Sequence, residues 1–299
     1  MTLAKLNTEQ RNPKTIDIDT LPTLEALKLF NQEDQSVSQV IFEQLETIAA
    51  AIDYLADGFA EGRVFYCGAG TPGRLGFLDA AEVPPTFGVP AGKIVGLIAG
   101  GEEALVRTME GAEDDRQACQ QQLEAYNFNE KDALIGIASS GRTPYVLAGL
   151  EYANSIGAKT VSISNTKGSA IEAIAKHNIV LVTGPEVITG STRLKAGTSQ
   201  KLVLNMISTM LMIRYGKIYS NLMVDVIPSN EKLVDRARRV IVEATGVEYD
   251  RAGQLLEEAN NSVKHAIVMG LLQVDYQESD QLLAQANNRI ADIIHRHNR

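Results

Sequence analysis

Ser139, Ser140 and Thr143 place three hydroxyls around Gly141, directly after the apolar run Ala133–Ala138 and before Pro144. A strand that ends in such a turn and yields to a helix offers free backbone N–H groups and the positive end of the helix dipole. Together with the hydroxyls these can hold a phosphate. A similar turn, Cys67-Gly-Ala-Gly-Thr-Pro-Gly-Arg-Leu-Gly76, follows an earlier apolar run. Its Gly-x-Gly would also suit a dinucleotide, but no acidic residue closes a second strand at the usual spacing, and Pro72 interrupts the expected helix start. Two loops of this kind on one sheet edge favour a phosphorylated small molecule.

Carboxylates supply the acid–base candidates. Glu82, in Asp79-Ala-Ala-Glu-Val-Pro-Pro85, is expected at the end of the helix after the first glycine loop. There the negative dipole end would raise its pKa and suit a proton donor, although a solvated glutamate near a helix stop has the same signature. Glu110, Glu113, Asp114 and Asp115 precede a helical stretch that starts near Arg116. Acids in a first helical turn complement the dipole, so residue type alone singles out none of them. The stretch from Gly184 to Lys201 is dense in Gly, Ser and Thr, and its Arg193 and Lys195 could cap the following helix or reach an anion. His177, His265, His295 and His297 have no partners at metal-ligand spacing, and no Gly-x-Ser-x-Gly elbow is present. No metal is expected.

The elements that must position these residues follow from periodicity. Five short β-rich runs, Val64–Cys67, Ile94–Ala99, Ala133–Ala138, Thr160–Ser164 and Ile179–Thr183, alternate with helical patterns. This order predicts an α/β fold with a parallel five-stranded sheet sandwiched by helices, and ligands beyond the strands' carboxyl ends. A long leading helix is expected over Val40–Phe59 with Ser38 as N-cap, preceded by an arm ordered by packing on something else. A buried helix is expected over Thr198–Tyr215 and a short apolar run over Leu222–Val226. Pro228 marks a boundary, after which three to five short helices follow, with breaks near Gly246 and Asp275–Ser279. The expected organisation is therefore an arm and helix start over 1–45, an α/β domain binding a phosphorylated small molecule over 46–227 and an all-helical C-terminal domain over 228–299.

The 299 residues, 44% of them hydrophobic, suffice for a full core. A net charge of -9 argues against nucleic acid or an anionic membrane as partner, and no apolar stretch is long enough to span a bilayer. Two cysteines and a polar start point to reduced thiols in a cytoplasmic protein.

Several motifs, in order along nearly the whole chain, resemble the N-acetylmuramic acid 6-phosphate etherase family. They are Thr8-Glu-Gln-Arg-Asn-Pro13, Gly68-Ala-Gly-Thr71 with Gly73-Arg-Leu-Gly76, Ala81-Glu-Val-Pro-Pro-Thr86, Glu110-Gly-Ala-Glu-Asp114, Ser140-Gly-Arg-Thr-Pro-Tyr145 and the 184–201 loop. The last segment is similar in the animal glucokinase regulatory protein too. The resemblance implies a sugar isomerase (SIS) domain, a small helical C-terminal domain and a homodimer with a shared active site. The implied reaction cleaves the lactyl ether of N-acetylmuramic acid 6-phosphate, giving N-acetylglucosamine 6-phosphate and D-lactate without a cofactor, either in recycling of the cell's own peptidoglycan or in use of foreign muropeptide. It implies Glu82 as the acid that protonates departing lactate and Glu113 as the base at carbon 2. Ser139, Ser140, Gly141 and Thr143 would hold the phosphate, with Thr71 and Lys195 near the sugar. Where the family usually has Thr-Ser-Gly, this chain has Thr71-Pro-Gly73, and so lacks one hydroxyl and one N–H. An aldose–ketose isomerase on the same fold, or a regulator that binds a phosphosugar without turnover, are the alternatives. Intact Glu82 and Glu113, and a single SIS domain, count against the regulator.

Overall fold

The computed structural model describes residues 7–226 and 230–297, which group into two compact units. The first comprises Met1–Ala81 and Gly92–Ser208; the second comprises Glu82–Ala91 and Thr209–Arg299. Pro228 and the expected boundary beside it lie outside the described residues.

The first unit opens with helices α1 (Thr23–Phe42) and α2 (Leu45–Ala56). Two helices thus replace the expected single one over Val40–Phe59. Ser38 lies inside α1, where its Oγ donates to the Gln35 carbonyl, and is no N-cap. Val37, Ile41, Ile48, Ile52 and Leu55 are all buried, so the apolar spacing runs on across the break at Glu43–Gln44 and conceals it.

Strand β1 (Val64–Gly68) leads through the first glycine loop into α3 (Thr71–Phe87), and β2 (Ile94–Ile98) follows. Pro72 does not interrupt α3 but occupies its second position, where a missing N–H costs nothing because first-turn donors have no intrahelical acceptor. A short helix α4 (Glu103–Val106) and α5 (Ala118–Ala125) precede β3 (Ala133–Ala138), α6 (Pro144–Ser155), β4 (Lys159–Ser164), β5 (His177–Val180) and α7 (Lys195–Arg214). All five strands are parallel, in the order β2-β1-β3-β4-β5. Strands β1, β3 and β4 are buried almost throughout because helices cover the sheet, while the edge strand β5 is mostly half-buried. Phe65, Cys67, Leu134, Tyr145, Val146 and Leu150 belong to one core cluster spanning β1, β3 and α6.

The second unit contains a two-stranded antiparallel pair, β6 (Ile218–Tyr219) with β7 (Leu222–Met223), where the sequence offered only an apolar run. Its helices are α8 (Glu231–Thr245), α9 (Tyr249–Glu258), α10 (Val263–Leu272), α11 (Tyr276–Gln285) and α12 (Ile290–His297). Gly246 ends α8 in the left-handed conformation, at the expected break. Asp275 caps the start of α11 by accepting from the Glu278 N–H, so the second break precedes Tyr276 rather than spanning Asp275–Ser279. Ile241, Leu255, Ile267, Leu283 and Ile293 form the core of these helices.

Candidate functional site

In a sheet ordered β2-β1-β3-β4-β5 the connections run to opposite sides from β1 and β3, which makes the β1/β3 edge the topological switch point. Both loops singled out in the sequence leave these two strands at their carboxyl ends. Residue Gly68 pairs with Ile137, so the turns start side by side. Each turn leads directly into a long helix, α3 or α6, whose first N–H groups have no intrahelical acceptor. A third helix begins nearby: a Cβ on Gly197, in the first turn of α7, would lie 3.2 Å from Cγ2 of Thr71. Local positive potential therefore arises at this edge despite the net charge of -9.

Two glycines fix the loop shapes. Gly73 lets α3 lie against β1, since a Cβ there would come within 2.6 Å of the Gly68 carbonyl oxygen and of Ile98 Cγ1. Gly141 has φ +64°, and a Cβ on it would meet Ser169 Cβ and Oγ at 2.3 Å. Around it, Ser139 Oγ accepts from Gln200 Nε2 at 3.0 Å, and Ser140 Oγ accepts from the Arg142 N–H at 3.3 Å. Thr143 stands at the N-cap of α6 without using its hydroxyl as the cap. Thr71, Ser139, Ser140, Gly141 and Thr143 are thus gathered at the switch-point edge.

Glu113 lies on a single 3-10 turn, Ala112–Asp114, and is exposed. It lines a cleft of about 320 Å³ together with Ala69 and Gly70 of the first glycine loop, Arg74, Thr108 and Glu110. Arg74, on the first turns of α3, donates Nε to the Leu105 carbonyl (3.0 Å) and Nη2 to the Arg107 carbonyl (3.2 Å), tying the segment before Glu113 to the glycine loop. Asp115, by contrast, caps the next helix by accepting from the N–H groups of Gln117 and Ala118, the dipole role expected of the acidic cluster.

Glu82 is not at a helix end. Helix α3 continues five residues beyond it to Phe87, Glu82 is exposed, and its carbonyl accepts from Thr86 Oγ1. The helix-terminus argument for a proton donor therefore does not apply, because the dipole acts within the last turn. Glu82 belongs to the second compact unit.

Lys195 is buried and paired. Its Nζ donates to Glu33 Oε2 at 2.7 Å, with both side chains less than a tenth exposed (3% and 7%). Burial alone would raise the Glu33 pKa, but hydrogen bonds from Lys14, Lys195 and Asn12, together with the Lys195 charge, outweigh it and lower the value to about 2. Glu186 accepts from the backbone N–H groups of Lys195 and Ala196, at 2.9 Å each, and so caps α7. Glu33, Glu186, Asn165 and Gln200 were not singled out in the sequence, since a polar residue inside a helix or loop carries no local sign of a remote partner. Among the described residues no cluster of three or more His, Cys, Asp or Glu side chains could hold a metal ion.

Comparison with known proteins bears on this site. The glucokinase regulatory protein N-terminal SIS domain matches residues 46–154, and the SIS domain matches residues 117–210. The N-acetylmuramic acid 6-phosphate etherase of Oceanobacillus iheyensis is 57% identical over 271 residues, covering 90% of this chain and 92% of the relative. The chain belongs to the N-acetylmuramic acid 6-phosphate etherase family. The family's member from Bacillus cereus strain AH187 is 53% identical over 272 residues, covering 91% of this chain and 92% of the relative. Among solved structures, a protein of E. coli CFT073 aligns with TM-score 0.50 and 18% identity, over 64% of this chain and 93% of that one. A protein of Bacteroides fragilis described as a candidate phosphosugar isomerase involved in capsule formation aligns with TM-score 0.50 and 17% identity, over 64% of this chain and 91% of that one. Both share the fold over the aligned 64% of this chain, and the likeness shows the fold alone.

Proposed function

We propose that the protein cleaves the lactyl ether of N-acetylmuramic acid 6-phosphate with water, yielding N-acetylglucosamine 6-phosphate and D-lactate. The observation that carries the reading is the 57% identity to an etherase of that name over 90% of the chain. The two glycine loops flanking the β1/β3 switch point agree with it.

In the proposed reaction the open-chain aldehyde acidifies the proton on carbon 2. Glu113 takes that proton, the electron pair forms the carbon 2–carbon 3 double bond, and the carbon 3–oxygen bond breaks. Glu82 delivers a proton to the departing lactate oxygen. Water then adds to carbon 3 while carbon 2 regains a proton, so both carboxyl groups end as they began. The cleft that Glu113 shares with Ala69 and Gly70 supports the base assignment. Ser139, Ser140, Gly141 and Thr143 would hold the phosphate with the first N–H groups of α6, and Thr71 would approach the sugar from α3. Lys195, its Nζ paired with Glu33 at the start of α7, would lie near the sugar as well. The reaction needs neither metal nor cofactor.

The proposal extends to a homodimer that shares its active site, supported by the exposed Leu24, Leu27 and Phe42 of α1 (62%, 59% and 66%). A cytoplasmic place in peptidoglycan recycling completes it, in keeping with two buried free thiols, Cys67 and Cys119. The expected 46–227 and 228–299 domains are part of the same reading. The test is D-lactate release from N-acetylmuramic acid 6-phosphate by the purified protein, read through coupled lactate dehydrogenase without added metal. Release is expected; a sugar phosphate that stabilises the protein against heat but is not cleaved would overturn the reading.

A further inference from the structure

Behind Ser139 lies a chain of buried amides whose hydrogen-bond directions can be worked out one by one. Gln200 (0% exposed), Asn165 (1%) and Ser199 (0%) carry it. The Leu181 carbonyl oxygen can only accept, and it faces the Asn165 side chain at 2.8 Å, so that atom of Asn165 must be Nδ2. Ser199 agrees: its Oγ donates to the Ala196 carbonyl (2.7 Å) and accepts from the same Asn165 Nδ2 (2.9 Å). Asn165 Oδ1 therefore faces Gln200. The Gln200 atom 2.8 Å from it must be Nε2, because two oxygens at that distance would repel.

Nε2 has two protons. One goes to Asn165 Oδ1 and the other to Ser139 Oγ, at 3.0 Å. Ser139 Oγ is thereby committed as an acceptor on its inner side, and its own proton must be donated elsewhere. The Ser139 main chain is held as well: its carbonyl accepts from the Asn165 N–H (3.0 Å) and from Thr166 Oγ1 (3.2 Å). Gln200 Oε1 is buried without a hydrogen-bond partner among the described residues, so the amide is held in place by its donors alone. Turning it over would bring Oε1 against Asn165 Oδ1 and leave an amine unpartnered instead.

We infer that Gln200, oriented through Asn165 by the Leu181 carbonyl, is a positioning residue that presets Ser139 as a hydrogen-bond donor to an anionic ligand group at the β3–α6 loop. The oxygens of a fully ionised phosphate only accept, so a serine whose proton is already directed outward loses no competing internal bond on binding. This rests on the proposed phosphate role of Ser139 and adds what sets its polarity. Thr71, Ser140 and Thr143 have no such buried amide behind them in the bonds described.

The test compares N-acetylglucosamine 6-phosphate with N-acetylglucosamine as ligands, by calorimetry or competition, in the full-length wild type and in Ser139→Ala, Gln200→Met and the double variant. The ratio of the two affinities isolates recognition of the phosphate. Each single variant is expected to lose about ten- to a hundred-fold of that ratio, the value of one hydrogen bond to a charged group. The double variant is expected to lose no more than either single one, with KM for the phosphosugar raised and kcat little changed. Losses that multiply in the double variant, or a Gln200→Met ratio equal to wild type, would overturn the inference while leaving the phosphate role of Ser139 intact. A Ser139→Ala ratio equal to wild type would overturn both. If Gln200→Met does not fold, the wild type decides through nuclear magnetic resonance of the Gln200 side-chain amide. Both protons are expected to be protected from exchange, and rapid exchange of either would refute the relay.

Discussion

Two carboxylates divide the proposed chemistry, and their separation can be measured. Glu113→Gln is expected to slow solvent-deuterium exchange at carbon 2 by about 10²–10⁴-fold, the usual contribution of a positioned base. Glu82→Gln is expected to keep that exchange and slow lactate release by a similar factor, since it would act after the proton has left. Full lactate release by Glu82→Gln would remove its assigned role. A third carboxylate acts on stability. Glu33 is lowered from 4.5 to about 2 in the folded protein, so its stabilising contribution is present above pH 4.5 and lost as pH falls toward 2. The shift corresponds to about 3 kcal/mol. Glu33→Gln should lower the melting temperature at pH 7 by leaving Lys195 buried without its counter-charge. The gap to wild type should close between pH 4.5 and 2. A gap that stays constant across that range would show that the ion pair does not carry the effect.

At the scale of elements, the approach of α3 to β1 is the most constrained packing near the site. Gly73→Ala would press a methyl group to 2.6 Å from the Gly68 carbonyl and Ile98 Cγ1, so α3 must shift away from β1. Destabilisation of about 1–3 kcal/mol is expected from chemical denaturation, as for an overpacked core. Wild-type stability would mean that α3 yields without cost. Pro72, one position earlier, fits the helix start but offers neither hydroxyl nor N–H. Pro72→Ser is expected to lower KM for the phosphosugar by about ten-fold or more through one added charge-assisted bond. An unchanged KM would show that the β3–α6 loop already satisfies the phosphate.

The whole molecule is acidic, yet its proposed ligand is an anion; the N-termini of α3 and α6 at one sheet edge supply the local field that net charge does not. The exposed Leu24, Leu27 and Phe42 of α1 are the apolar surface on which a second copy is expected. Sedimentation should find a dimer, and Leu27→Asp should give a monomer with lactate release reduced by at least ten-fold, because the proposed site is shared between copies. A fully active monomer would end the shared-site proposal.

Elements whose signals are local are legible along the chain. Apolar runs bounded by glycine and serine turns locate the first four strands to within a residue, since hydrogen-bonding geometry and side-chain alternation act over a few residues; β5, expected over Ile179–Thr183, instead spans His177–Val180. The start of α6 at Pro144 and the end of α8 at Gly246 are read in the same way. The break between α1 and α2 was hidden because the buried spacing runs through it. What the tertiary structure decided is non-local. Strand order put the β1 and β3 loops side by side at the switch point, which no spacing along the chain encodes. Lys195 meets Glu33 across 162 positions and Gln200 meets Ser139 across 61. Such pairs form only once the sheet and its helices have removed those groups from water, where each buried donor or acceptor must find a partner from whatever element lies beside it.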